Sequence, residues 1–230
     1  MSSHQARLRV LPARGTTKAV VLVLHGGGES GTDRVRGWSA PYLRMLPFAR
    51  AVRRVGRPHG IEVCLLRNRM RGWNRPDLDP VRDGRWALDQ IRQRHPDLPV
   101  ALIGHSMGGR VALRIADDQR IAGVCALAPW TTAKDWVDPV TGRKVVIAHG
   151  TRDAVTSAAS SNDYAKRAFD ISTLARFELP REGHSMIRRA RTWNRLVRAF
   201  VLDAFGLPHD DPLLTDAWRL PPSERLAIRV

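Results

Sequence analysis

Lysine is nearly missing from this chain: of its 38 basic residues, four are Lys and 34 are Arg. Cysteine is also scarce, with two in 230 residues, and aromatic side chains make up 6%. Two cysteines exclude a scaffold held by several disulfides, and neither has the neighbours of a zinc ligand. Cys64 and Cys125 each stand inside an apolar run, IEVCLL and GVCALA, and read as buried thiols in neighbouring strands. No metal and no cofactor is expected. The longest apolar run near the start, Ala19 to Leu24, is strand-sized and far below the roughly 20 residues of a membrane helix. The opening stretch MSSHQARLRVLPARG has no apolar core of a signal peptide. A cytoplasmic protein without membrane attachment is therefore expected.

Acidic residues are outnumbered 22 to 38, giving a formal charge of +16 at pH 7. Such a balance raises nucleic acid as a partner. The arginines, however, are scattered, and no zinc-finger spacing, aromatic RNA-binding motif or basic heptad region accompanies them. The Arg bias fits a GC-rich genome as readily as a function. An anionic small-molecule substrate or an acidic carrier protein suits that charge better than a nucleic acid does. The sequence leaves the oligomeric state open.

Short β-branched runs alternate with segments of helical period. Ala19–His25, Ile61–Leu66, Val100–His105, Ile121–Ala128 and Lys144–His149 read as strands buried on both faces, flanked by weaker strands at Leu8–Leu11 and Leu174–Leu179. Tyr42–Val55, Val81–Arg94, Gly108–Asp118, Ala158–Phe169 and Met186–Phe205 read as helices. The alternation predicts a doubly wound, mostly parallel α/β sheet covered on both faces, with one domain over residues 1–206. Residues 207–230 form a Pro-rich C-terminal extension that either packs back or stays loosely ordered. In such sheets ligands bind beyond the carboxyl ends of the strands, so the residues after each strand are the candidates for chemistry.

Gly104-His105-Ser106-Met107-Gly108 is a G-x-S-x-G pattern directly between a strand and a helix. A serine on so tight a turn stands clear of the sheet, and flanking glycines leave room for the neighbouring chain. The turn also aims the Met107 amide, at a helix start, toward a developing oxyanion. The loop His25-Gly26-Gly27-Gly28 ends another strand and offers a second amide, from Gly27 in the first instance or Gly28. His25 is expected to orient that loop. Asp153 follows the strand ending at His149, and His184 follows the last strand, so the order Ser106, Asp153, His184 suits a nucleophile, its orienting carboxylate and its base. An imidazole bridging hydroxyl and carboxylate is the expected geometry. Asp153 could instead cap the following helix, and Asp163 is a nearby competitor.

GHSMGG, HGGGE, HGTRD and GHS, in that order, resemble the α/β-hydrolase superfamily, in particular its compact, dienelactone-hydrolase-like members of actinobacteria. The resemblance spans Arg7 to Phe205 and implies the α/β-hydrolase fold and a two-step acyl-enzyme mechanism without a cofactor. A serine nucleophile departs from dienelactone hydrolases proper and from haloalkane dehalogenases, so their substrates are not carried over. The expected activity is hydrolysis of a carboxylic ester or thioester, or alternatively acyl transfer or cyclisation from the same intermediate. Between Ala128 and Lys144 there is room for a loop or one short helix, so a lid is minimal or absent, and Trp130, with Trp136, is a candidate wall of an open pocket. Arg71 or Arg67, in the loop RNRMRGWNR, could grip an anionic group with a guanidinium fork; alternatively the Arg side chains of this solvated loop pair with Asp77, Asp79 and Asp83.

Overall fold

A computed structural model describes residues 5–230; residues 1–4 of the expected first domain lie outside the described residues. The described residues build eight strands: β1 (Arg7–Leu11), β2 (Ala19–Leu24), β3 (Ile61–Arg67), β4 (Val100–His105), β5 (Ile121–Leu127), β6 (Lys144–Gly150), β7 (Thr173–Leu179) and β8 (Ile228–Arg229). Seven helices connect or cover them: α1 (Ala40–Arg44), α2 (Leu46–Gly56), α3 (Asp79–Arg94), α4 (Met107–Arg114), α5 (Ala158–Ala168), α6 (Ala190–Ala204) and α7 (Pro212–Arg219). The strands form one sheet in the order β1-β3-β2-β4-β5-β6-β7-β8. Among the described residues only β1 runs antiparallel, against β3.

Period-two side-chain alternation splits the core into two layers. Val21, Val23, Ile103, Leu127 and Phe177 face α1, α2, α6 and α7, represented by Phe48, Val52, Trp193 and Leu214. Val20, Leu22, Leu102, Val124 and Ile147 face α3, α4 and α5, represented by Leu88, Val111 and Tyr164. Both faces are thus buried, which is why these strands read as continuous apolar runs. Cys64 belongs to one layer and Cys125 to the other, and β2 and β4 lie between their strands. The expectation of neighbouring strands is corrected on that point, and both thiols are free. Burial pushes the Cys64 thiol up to about 12 and Cys125 higher still.

The helices depart from the sequence expectation where local chemistry intervenes. The expected helix Tyr42–Val55 is two helices broken at Met45, because Pro47 at the start of α2 has no N–H to continue the ladder. α6 begins at Ala190 rather than Met186, and Met186 adopts φ 57° within a turn. It ends in a Schellman arrangement: Gly206 takes φ 64°, its N–H donates to Asp203, and the Leu207 N–H donates to Leu202. The C-terminal segment packs back on the domain. Asp211 caps α7, whose Leu214 and Ala217 enter the core, and β8 pairs with β7. Between β5 and β6 stands one short 3-10 turn, Asp138–Val140, and no lid domain. Among the described residues no helix is long and apolar enough to cross a membrane.

Candidate active site

The strand order reverses between β2 and β4, the place where an open α/β sheet splits its loops apart. The Gly-rich loop leaves β2 there, and Ser106 follows β4. Ser106 has φ 56° and ψ −121°, a strained conformation for a residue with a side chain. Such a residue costs on the order of 1–3 kcal/mol and persists only where its surroundings enforce it. Here the enforcement is visible. The Ser106 N–H donates to Leu127 O at 3.0 Å, while its carbonyl accepts from Trp130 N at 3.1 Å and Arg110 N at 3.2 Å. A Cβ on Gly104 would overlap the backbone of Gly108, and one on Gly108 would overlap the carbonyls of Leu24 and His25. Both glycines of the pattern are therefore dictated by backbone crossing backbone.

Asp153 and His184 are brought together by the loops after β6 and β7. His184 Nδ1–H donates to Asp153 Oδ2 at 2.8 Å. The carboxylate also accepts from the N–H groups of Val155 and Thr156 at 2.8 and 2.9 Å, and from the Thr156 hydroxyl at 2.9 Å. His149, fully buried behind it, lies 3.2 Å away. Burial alone would raise the Asp153 pKa, but the hydrogen bonds from His149, His184, Thr156 and Val155 outweigh it and hold the carboxyl well below the usual range. Asp163, the competitor, lies within α5.

One carboxylate, one guanidinium and two imidazoles hold the surrounding loops. Glu182, buried, accepts from Gly183 N at 2.9 Å and Arg189 N at 2.6 Å, which closes the His184 loop on itself. The Arg44 guanidinium donates to the Ser185 carbonyl from α1. His105 Nε2–H donates to the His184 carbonyl at 3.0 Å, and burial pushes its pKa down to about 3. His25 accepts from Asn68 N at 3.1 Å through Nε2 and donates to the Gly26 carbonyl at 2.6 Å through Nδ1. Burial likewise lowers it to about 4, so it is a neutral fastener of the loop.

The expected bridge is half formed. Among the described residues, the Ser106 hydroxyl makes no hydrogen bond to His184, although Ser106 is 6% exposed at the same end of the sheet. Catalytic contacts of this kind are commonly long without substrate and tighten when it binds. Of the two candidate oxyanion amides in the Gly-rich loop, Gly28 is corrected: its N–H donates to Arg71 O at 2.9 Å, in a bridge with Gly72. Gly27 has no such bond among the described residues, and its missing side chain admits the Arg71 carbonyl and the Met107 thioether. The Met107 N–H opens α4 and has no intrahelical partner.

A cleft of about 450 Å³ runs beside this loop, lined by Gly27, Arg34, Val35, Ser39, Pro41 and Arg71. Arg71 is exposed and meets Asp33 at 3.4 Å. Arg67 does not line that cleft. The alternative pairing of the Arg-rich loop is met in part: Arg69 of the loop binds Asp79 and Asp83, while Asp77 binds Arg82, outside it. Trp130, expected as a pocket wall, does not line that cleft. It is half-buried, edge-on to Trp73 with centroids 6.0 Å apart, and the Arg110 guanidinium lies 4.6 Å from its ring. Trp136 is exposed and lies outside that cleft as well.

Residues 67–145 match the family model described as serine aminopeptidase, S33, a stretch that includes Ser106 but neither Asp153 nor His184. Human monoglyceride lipase is 32% identical over 123 residues, covering 52% of this chain and 37% of the lipase. The magnesium-chelatase 30 kDa subunit of Rhodobacter capsulatus is 30% identical over 161 residues, 66% of this chain and 51% of that one. The chain thus matches from about a third to half the length of these curated relatives. Among solved structures, XC6422 of Xanthomonas campestris, a serine hydrolase without a lid, superposes with a TM-score of 0.67 at 20% identity, covering 90% of this chain and 91% of that one. Est1E of Butyrivibrio proteoclasticus gives 0.65 at 11% identity, covering 90% and 97%. The sheet order and these superpositions give the chain the α/β-hydrolase fold without a lid.

Proposed function

We propose that this protein is a serine hydrolase that cleaves a carboxylic ester or thioester through an acyl-enzyme on Ser106. The observation that carries the reading is the Asp153–His184 hydrogen bond, placed by β6 and β7 at the end of the sheet where Ser106 sits on its strained turn. With Nδ1–H held by Asp153, His184 presents Nε2 as a base. It takes the hydroxyl proton as Ser106 Oγ bonds to the carbonyl carbon, and Asp153 stabilises the resulting imidazolium. The N–H groups of Gly27 and Met107 receive the oxyanion. Collapse of the tetrahedral intermediate breaks the carbon–oxygen or carbon–sulfur bond, and the imidazolium returns its proton to the leaving group. Water then attacks the ester of Ser106 by the same proton path, releasing the acid. The match to a serine peptidase family model and the likeness to a monoglyceride lipase support ester hydrolysis in general.

Arg71 and Arg34 beside Gly27 favour a substrate with a carboxylate or phosphate near its reacting carbonyl. A panel of p-nitrophenyl esters and acyl thioesters, varied in length and charge, tests the function. Turnover that disappears in Ser106→Ala supports it; no turnover of any member by the wild type counts against it.

A further inference from the structure

A second concavity lies away from the catalytic loops, between the loop after β3, the second turn of α4 and the loop after β5. Its volume is about 330 Å³, and none of its lining residues belongs to the triad or to the Gly-rich loop. Its charge is one-sided. Arg75, Arg110, Arg114 and Lys134 line it against a single carboxylate, Asp135. That carboxylate is already committed, bound to the buried Arg110 at 2.9 Å. Among the described residues Arg75, Arg114 and Lys134 have no carboxylate partner, although acidic side chains pair with many other arginines. Three free cations on one concave wall repel one another, a cost that an anion between them removes.

The aromatic component is equally unusual. Trp136 is 66% exposed at the mouth, with the Arg114 guanidinium 4.6 Å from its ring. Trp73 forms the inner wall, and its indole N–H is buried without an acceptor. A small recess behind holds the Thr131 hydroxyl, also buried and unpartnered. Arg110 is wedged between Trp73 and Trp130, at 4.3 and 4.6 Å, so the floor is rigid. A flat ring can lie on Trp136, while a dianionic group sits among Arg75, Arg114 and Lys134.

From this we infer a ligand site, distinct from the catalytic cleft, for a phosphomonoester bearing an aromatic ring, the chemical class of the mononucleotides. A phosphate monoester carries about −1.5 to −2 charges near neutrality and offers three acceptor oxygens, which suits three unpaired cations better than a monoanionic carboxylate does. The cleft's volume suits one such molecule rather than a polymer. The site does not depend on the reaction at Ser106.

The experiment is calorimetric titration of the whole chain with adenosine monophosphate, ribose 5-phosphate, inorganic phosphate and benzoate. Adenosine monophosphate should bind with a single saturable isotherm and more tightly than the other three. Lys134→Glu and Arg114→Ala should each weaken it about tenfold or more, the scale of one charge-assisted hydrogen bond, with an unchanged Tm. Trp136→Ala should reduce it to the affinity of ribose 5-phosphate, and Arg71→Ala, in the catalytic cleft, should leave it intact. Should Arg114→Ala fold poorly, the exposed Lys134→Glu carries the test alone. Absence of saturable binding, equal affinity for all four compounds, indifference to Lys134→Glu, or loss of binding in Arg71→Ala would each overturn the inference.

Discussion

His105 lies beneath His184, with ring centroids 4.6 Å apart at a tilt of 40° and its Nε2–H bonded to the His184 carbonyl. The loop after β7 that carries His184 is thus fastened to the residue that precedes Ser106. Burial holds His105 in its neutral form, since a charge there would be cut off from water.

That requirement has a consequence for stability. Burial lowers His105 to about 3 and His25 to about 4, below the unfolded value near 6.5. Between those limits the unfolded chain holds protons that the folded chain refuses. Stability is therefore retained above pH 6.5 and lost as pH falls, by up to about 1.4 kcal/mol per unit for each imidazole. Thermal melts should show Tm falling from pH 7 to pH 5, before carboxylates titrate. In His25→Asn/His105→Asn the slope should flatten. A level Tm across that range in the wild type would contradict the neutral-fastener assignment.

The Asp153 carboxylate is held by four neighbouring residues, and its replacement tests orientation rather than charge alone. Asp153→Asn should lower kcat on the order of 10²–10⁴. Thr156→Val, which removes one hydroxyl bond to Asp153, should lower kcat about tenfold with little change in KM. Steady-state kinetics on one p-nitrophenyl ester measures both. Full activity in Asp153→Asn would mean another carboxylate holds the imidazole.

Adjacent glycines of the loop after β2 should behave differently. A side chain on Gly27 would overlap the Arg71 carbonyl and Met107, whereas on Gly28 it meets only the Ser30 carbonyl at 3.4 Å. Gly27→Ala should therefore displace the proposed oxyanion amide and cut kcat by roughly 10²–10³, the scale of one lost donor. Gly28→Ala should stay within a factor of about three, since its own amide is engaged elsewhere and surface changes of this kind are near neutral. Equal losses at both would remove the distinction between the two amides.

Arg71→Ala should raise KM for an anionic ester about tenfold, the scale of a charge-assisted bond, and leave a neutral ester of similar size unchanged. Equal effects on the two esters would end the charge-recognition role.

Much of this architecture was legible because fully buried parallel strands are written as unbroken apolar runs, as in AVVLVL and VALIGH. The two-residue strand β8 and the helix α7 carry too few residues for a period to declare itself. In the site, the Ser106 turn and the chain order of Asp153 and His184 could be read from glycine spacing and strand ends. Thr156, His149, His105 and Glu182 could not. Their roles depend on which polar atoms meet across loops up to 79 positions apart, as in the bond from His105 to His184. The bond from the Gly28 amide to Arg71 escaped the sequence for the same reason: an amide's partner is a tertiary fact.

The most direct test is to treat the protein with a fluorophosphonate, digest it, and locate the adduct by mass spectrometry. One adduct on Ser106 is predicted in the wild type, absent in Ser106→Ala and slowed by roughly 10⁴ or more in His184→Ala. An unlabelled Ser106 in folded wild-type protein, or undiminished labelling in His184→Ala, would contradict the account.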